Sequence, residues 1–230
     1  MSLFVIGDLH LSFGVNKPMD VFGGWENHTQ ILEKAWREQI TPTDTVVLAG
    51  DSSWGMTMED ALPDFQWIHA LPGEKIILKG NHDYWWTTMS KMTAFFEQNQ
   101  LSSLHILHNN CYAYENFGIC GTRGWVNIDK EEPANAKVIA REAQRLDVSI
   151  AAAEQQGLTP IVFLHYPPIY GDNCNYGILE VLWKHQISDC YYGHLHGSGS
   201  HRYAVCGERD GVKYHLISGD YIQFSPAKIT

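Results

Sequence analysis

Five short apolar runs in this 230-residue chain end on side chains able to bind metals or carry protons. Residues 3–6 lead through Gly7 to Asp8-Leu9-His10, and residues 46–49 lead through Gly50 to Asp51. Residues 76–78 lead through Lys79-Gly80 to Asn81-His82-Asp83. Residues 161–164 deliver His165 directly, and a further run leads through Gly193 to His194-Leu195-His196. Glycine lets the backbone turn sharply and approach a bound group. Asp8 and His10, like His194 and His196, are two residues apart, so in extended chain each pair points to one side. The donors are carboxylate, amide and imidazole without thiolate. That set suits manganese, iron or zinc better than calcium or a structural cysteine–zinc site.

Taken singly, each group has an ordinary explanation. A Gly-Asp pair is commonly a cap or a turn, a histidine after a strand is commonly a half-buried hydrogen-bonded residue, and His-x-His alone is a weak metal signal. Five strand ends in succession with such donors make metal binding the joint explanation. His82 suits a general acid, because imidazole titrates near neutrality, and Asp83 beside it is expected to orient its ring. Arg123, after a hairpin strand, is a candidate for holding a phosphate oxygen through its planar fork. Trp54, Tyr84, Trp85, Trp86 and Tyr166 adjoin these motifs and are expected to pack the rim of the site, with stacking on a nucleobase or sugar as the alternative. His28, His69, His105, His108 and His215 are read as structural or surface groups, and Asp220 as a turn residue.

The elements that must position these residues follow from periodicity. The four runs at residues 3–6, 46–49, 76–78 and 161–164 are nearly unbroken and partly β-branched, as strands covered on both faces are. Helical period covers residues 25–40, with Ile31, Leu32, Ala35, Trp36 and Ile40 on one face. It recurs over 57–71, with Pro63 marking an early turn or kink, and over 86–98. The clearest helix runs from Pro133 to about residue 156, where Gly157 suits its end. Residues 111–123, turning through Asn116-Phe117-Gly118, and 203–218, turning at Asp210-Gly211, read as hairpins. Ligand sites in α/β sheets lie at strand carboxyl ends, where every motif falls.

Composition limits the partners. Apolar residues make up 44% and charged residues 18%, and the net charge of −10 argues against nucleic acid or an acidic membrane as the partner. The five cysteines are scattered without a CxxC pair, which suits a reducing compartment. No transmembrane run or leader pattern is visible, so the expected location is the cytoplasm.

Asp8-Leu9-His10, Gly50-Asp51, Gly80-Asn81-His82-Asp83, His165 and Gly193-His194-Leu195-His196 together resemble the five signature blocks of the calcineurin-like metallophosphoesterases, and most of all their small bacterial phosphohydrolases. The resemblance implies an α/β fold, a four-layer αββα sandwich with two mixed β-sheets flanked by helices, as a single domain over residues 1–230. It implies two divalent metal ions, with manganese the first expectation and iron, zinc or cobalt the alternatives. One would be held by Asp8, His10, Asp51 and His196, the other by Asp51, Asn81, His165 and His194, with Asp51 bridging. The expected reaction is attack by a metal-bound hydroxide on a phosphomonoester or phosphodiester of a small molecule, nucleotides included. Ser52-Ser53-Trp54 stands where the family's protein Ser/Thr phosphatases carry Asp-Arg-Gly, and Lys79 where they place arginine, so a phosphoprotein phosphatase of that type is not expected. A nuclease of the same superfamily and a catalytically silent scaffold are the alternatives. Filled ligand positions argue against the scaffold, and the acidic charge and the lack of a cap domain argue against the nuclease.

Overall fold

Strands and helices alternate in the order that the hydrophobic periods require. The computed structural model describes residues 1–125 and 133–230, without the side chains of residues 133 and 134. Two units divide the chain: Met1–Ile106 together with Ile217–Thr230, and Leu107–Leu216. The first runs β1 (Leu3–Ile6), α1 (His28–Gln39), β2 (Thr45–Ala49), α2 (Met58–Ala70), β3 (Glu74–Leu78), α3 (Met89–Gln98) and β4 (Leu104–Ile106). The second runs β5 (Tyr112–Tyr114), β6 (Phe117–Thr122), α4 (Pro133–Glu154), β7 (Thr159–Leu164), β8 (Ile169–Tyr170), β9 (Asn173–Cys174), α5 (Tyr176–Lys184), β10 (Asp189–Tyr192), α6 (Gly197–His201), β11 (Gly207–Arg209) and β12 (Val212–Leu216). β13 (Ala227–Lys228) belongs again to the first unit. The protein is mixed α/β, with two large mixed sheets flanked by helices.

The first sheet has the order β13-β1-β2-β3-β4. β1 to β4 are parallel, and β13 closes the edge antiparallel to β1. Parallel neighbours need a crossover, which α1, α2 and α3 supply. All four residues of β1 are buried, as are the last four of β2 and of β3, which explains their continuous apolar runs. Leu32 and Trp36 of α1, Phe65 and Ile68 of α2, and Met92 and Phe96 of α3 join these strands in one core. The indole N–H of Trp36 donates to Pro72 O at 2.9 Å, so this large buried ring leaves no polar atom unsatisfied.

Helix boundaries depart from the periodic reading where side chains are recruited elsewhere. α1 begins at His28 and not at Trp25, because Asn27 is left-handed (φ 55°) and Trp25 is buried beside Phe224, 5.0 Å between ring centroids. Its buried stripe is His28, Leu32 and Trp36, whereas Ile31 is exposed. α2 matches the expected span. Thr57 and Asp60 form a reciprocal capping box, and the helix continues through Pro63 in its second turn. α3 starts at Met89, capped by Thr88, because Trp85 and Trp86 are drawn into the core just before it.

The second sheet has the order β11-β12-β10-β7-β6-β5, parallel in its four central strands and edged by two hairpins. Asp210 and Gly211 both have positive φ (53° and 79°), the pairing that a two-residue hairpin turn favours. The first hairpin turns at Glu115-Asn116, one residue earlier than the sequence suggested, because Phe117 already pairs with Tyr114. Leu146, Ile150 and Ala153 of α4 are buried as its periodicity predicts. A Cβ on Gly118 would fall 2.4 Å from the Ala153 Cβ, so β6 and α4 meet where one residue lacks a side chain. α5, which the sequence reading passes over, buries Ile178, Leu179, Val181 and Leu182. Among the described residues no helix is long and apolar enough to cross a membrane.

Lys75, on β3, is fully buried in the first unit. Its ammonium donates to Leu71 O and lies 3.4 Å from both His69 O and Ser103 Oγ, so it caps the C-terminal carbonyls of α2. Burial lowers its pKa to about 8 from 10.5, against a smaller opposing pull from Glu74. Between these values the unfolded chain binds more protons than the folded one, so the contribution of Lys75 to stability rises with pH across that window. The difference in urea-unfolding free energy between wild type and Lys75→Met should therefore grow from pH 8 to pH 10.5. A flat difference would contradict this account.

Candidate active site

In the first unit, three strand ends of the sheet supply three loops that are tied together through the backbone. Asp8 N donates to Gly50 O at 2.9 Å, His10 N to Asp51 O at 2.9 Å, and Leu11 N to Ser52 O at 3.1 Å. The segment after β1 thus runs alongside the segment after β2. This pairing bends both chains. Asp8 (φ 61°), His10 (φ 46°), Gly50 (φ 89°) and Asp51 (φ 52°) are all left-handed. The expectation that Asp8 and His10 share a side because the chain is extended is therefore corrected: a coiled backbone brings them together. A ligand atom of each nevertheless lies within 4.8 Å of one of the other, and both residues are buried.

Asp51 is fixed from the third loop. His82 N donates to Asp51 Oδ1 at 2.7 Å, and His10 Nε2 lies 3.7 Å from Asp51 Oδ2. A Cβ on Gly80 would fall 2.1 Å from Asp51 Oδ1 and 2.2 Å from Asp51 N, so this glycine is where the two loops touch. Asp83 is fully buried and ties the same loops from below. Its Oδ2 accepts from Gly80 N (2.7 Å) and Asp51 N (2.9 Å), and its Oδ1 from Ser52 N (2.9 Å) and Trp85 Nε1 (3.0 Å). Asp83 therefore works on the backbone of Asp51, a role its expected orienting of His82 does not describe.

The His82 ring has Tyr84 Oη 3.2 Å from its Nδ1 and sits among aromatic neighbours. Its centroid is 4.4 Å from Trp54 and 5.7 Å from His10, while Trp54 and His10 stack at 4.9 Å. Asn81 is half-buried at the head of the same loop. Behind the Asp51 loop, Asp64 of α2 accepts from the Ser53 hydroxyl and, at 2.7 Å, from Phe13 N. Burial raises the Asp64 pKa to about 6, although both hydrogen bonds pull the other way.

In the second unit, His165 follows β7 and is fully buried. Arg123 O accepts from His165 N (3.2 Å) and Tyr166 N (2.9 Å), and His165 O accepts from Gly193 N (3.1 Å), which locks the ends of three adjacent strands. His194 is left-handed (φ 72°) and stands edge-on to His165, with 5.1 Å between centroids; ligand atoms of the two lie within 4.8 Å. Tyr166 lies 4.2 Å from His194. His196 is half-buried in extended conformation (φ −119°) and opens α6, so the extended reading holds at that residue and fails at His194.

Arg123 lies with its guanidinium 4.8 Å from the Trp125 ring. Glu142 Oε1 is 3.9 Å away, beyond hydrogen-bonding reach, and is held more closely by Arg145 at 2.7 Å. Arg123 Nε is buried without a hydrogen-bond partner among the described residues. Donors left open in this way suit an anion.

The calcineurin-like phosphoesterase family model matches residues 1–198. The chain belongs to this family. Proteins of the calcineurin-like phosphoesterase family act on phosphate esters and typically bind divalent metals. The buried carboxylates and imidazole of Asp8, His10 and Asp51 in the first unit, and separately the imidazoles of His165 and His194 in the second, are donors of the chemistry that such ions take. The Gly80 contact adds a backbone cradle around Asp51.

Other likenesses of this family member are more distant or partial. The Gene 66 protein of Mycobacterium phage L5 is 40% identical over 58 residues, which make up 25% of this chain and 28% of the phage protein. The match therefore spans little more than a quarter of that relative. In fold the chain is similar to AQ665 of Aquifex aeolicus, a protein of unknown function (TM-score 0.51, 13% identity, covering 99% of this chain and 95% of the other). It is also similar to TT1561 of Thermus thermophilus (TM-score 0.55, 12% identity, 84% and 81%).

Sequence reasoning does not reach Asp64, Ser53 or the Trp54–His10 stack. Their partners come from another element, and nothing in the spacing of α2 marks Asp64. The loop geometry yields a direct test. Asp83→Asn replaces one acceptor oxygen with a donor facing main-chain N–H groups, and urea unfolding should show a loss of about 2–3 kcal/mol. Gly80→Ala should cost at least about 2 kcal/mol by forcing a methyl group against the Asp51 backbone. Wild-type stability in both variants would show that the loops are not held as described.

Proposed function

We propose that this chain is a dinuclear metal-dependent hydrolase of a small phosphomonoester or phosphodiester, nucleotides included. The ions would be held by Asp8, His10, Asp51, Asn81, His165, His194 and His196, with Asp51 shared between them. The observation that carries the reading is the fixing of Asp51 by His82 N and the Gly80 backbone: a carboxylate meant for two cations must be held before they arrive. When bound, the cations would supply Lewis-acid polarisation of the phosphate and acidify water. Manganese is the first choice, with iron, zinc or cobalt as alternatives.

The remaining roles belong to side chains. His82 donates a proton to the departing alcohol, with Tyr84 and Trp54 setting its ring, and Asp83 holds the loop that carries it. Arg123 offers its open donors to a phosphate oxygen. The net charge of −10 supports a small substrate over nucleic acid or membrane, and the five free cysteines support a reducing compartment such as the cytoplasm.

Metal-stripped protein reconstituted with manganese should release nitrophenol from bis-p-nitrophenyl phosphate or its monoester, and His82→Ala should lower kcat by about 100-fold or more. Release that persists after verified metal removal would sink the proposal. Chelation should also lower the melting temperature by several degrees, because the buried ligand carboxylates then lack the cations that offset their charge. An unchanged melting curve would count against a preformed metal centre.

A further inference from the structure

Lys17 lies on the loop between Leu11 and α1, exposed to solvent, with its ammonium 3.5 Å from the centre of the Trp54 ring. A cation over an indole face is attracted by the ring quadrupole, which holds a long, otherwise mobile side chain in one place. Lys17 has no ion-pair partner among the described residues, although acidic residues outnumber basic ones in the chain by 26 to 16. Trp54 is itself fixed: its indole N–H points to Met19 Sδ at 3.3 Å, its backbone N–H donates to Leu11 O at 2.8 Å, and its ring stacks on His10. The same ring lies 4.4 Å from His82, so Trp54 separates the ammonium from the proposed proton donor by a single side chain.

An oriented positive charge with no ion-pair partner among the described residues thus stands one side chain away from the proposed proton donor. We infer that Lys17, seated on Trp54, recognises a second anionic group, a carboxylate or a further phosphate, on the alcohol half of the ester. The inference rests on the proposed phosphoesterase reading and narrows it to phosphate esters whose alcohol half carries an anionic group of its own. Without such a charge, the chain's net negative charge would disfavour these substrates more than singly charged esters. Arginine in place of lysine keeps both the charge and the stacking on tryptophan.

The test compares glycerol 3-phosphate with 3-phosphoglycerate, whose alcohol halves differ by one carboxylate. Calorimetric titration of manganese-loaded wild type should show about fivefold tighter binding of 3-phosphoglycerate, the upper range for an exposed ion pair. The ratio should fall to about one in Lys17→Met, persist in Lys17→Arg, and shrink as salt is raised. Equal binding in wild type, binding of neither ligand, or a preference that survives in Lys17→Met would overturn the inference. Hydrolysis of bis-p-nitrophenyl phosphate on the same samples separates the two readings. Hydrolysis with a ratio of one rejects Lys17 recognition alone. A Lys17-dependent ratio without hydrolysis under manganese, iron, zinc or cobalt supports the anion site and rejects the phosphoesterase reading.

Discussion

The negative charge of Asp83 lies inside the protein, where water does not reach it, and it is solvated instead by the N–H groups of Gly80, Asp51 and Ser52 and the indole of Trp85. Those donors come from two loops that follow different strands. One carboxylate thus does the work that a longer interface would otherwise do, and does it beneath Asp51 and not beside it. The oxygens of Asp51 are left to face His82 N and His10, while its backbone is fixed from below. Structural and ligand carboxylates are thereby divided between two residues, which lets one be fully enclosed and the other present its oxygens.

The strain in this region has its counterweight in the same bonds. A left-handed non-glycine residue costs roughly 1 kcal/mol, and Asp8, His10 and Asp51 all adopt that conformation. Each is crossed by hydrogen bonds between the neighbouring segments, and Asp64 braces the loop further out through Ser53. The second unit uses another device. There the backbone carbonyls of Arg123 and His165 accept N–H groups from adjacent strand ends, so the histidines inherit their positions from the sheet register.

How much of this the sequence discloses depends on the range of the interaction. Strands buried on both faces announce themselves because every residue must be apolar, as in β1, and the Asp210-Gly211 turn is legible because few residue pairs tolerate positive φ twice. The motifs at the strand ends are legible for a related reason: metal donors are a small alphabet, and glycine precedes most of them. What escapes is any position decided by a distant partner. Trp25 carries helical period yet leaves α1 to pack on Phe224, at the far end of the chain, and Ile31 falls outside the buried stripe once that happens. Asp83 is visible as a charged residue beside His82, but its task is set by Asp51 and Ser52, which no local spacing predicts.

One edge of the first sheet is closed by a strand made long after its neighbour. β13 pairs with β1, Ile229 N donates to Leu3 O, and Gly7 N donates to Ile217 O, so β1 is flanked by a segment that follows the second unit. The second unit is continuous between these parts. On the ribosome, the unit that starts first is therefore finished last, and β1 must wait with an open edge until everything between has been synthesised. The strand that leads directly to Asp8 therefore gains its second neighbour only after the whole of the second unit has been made.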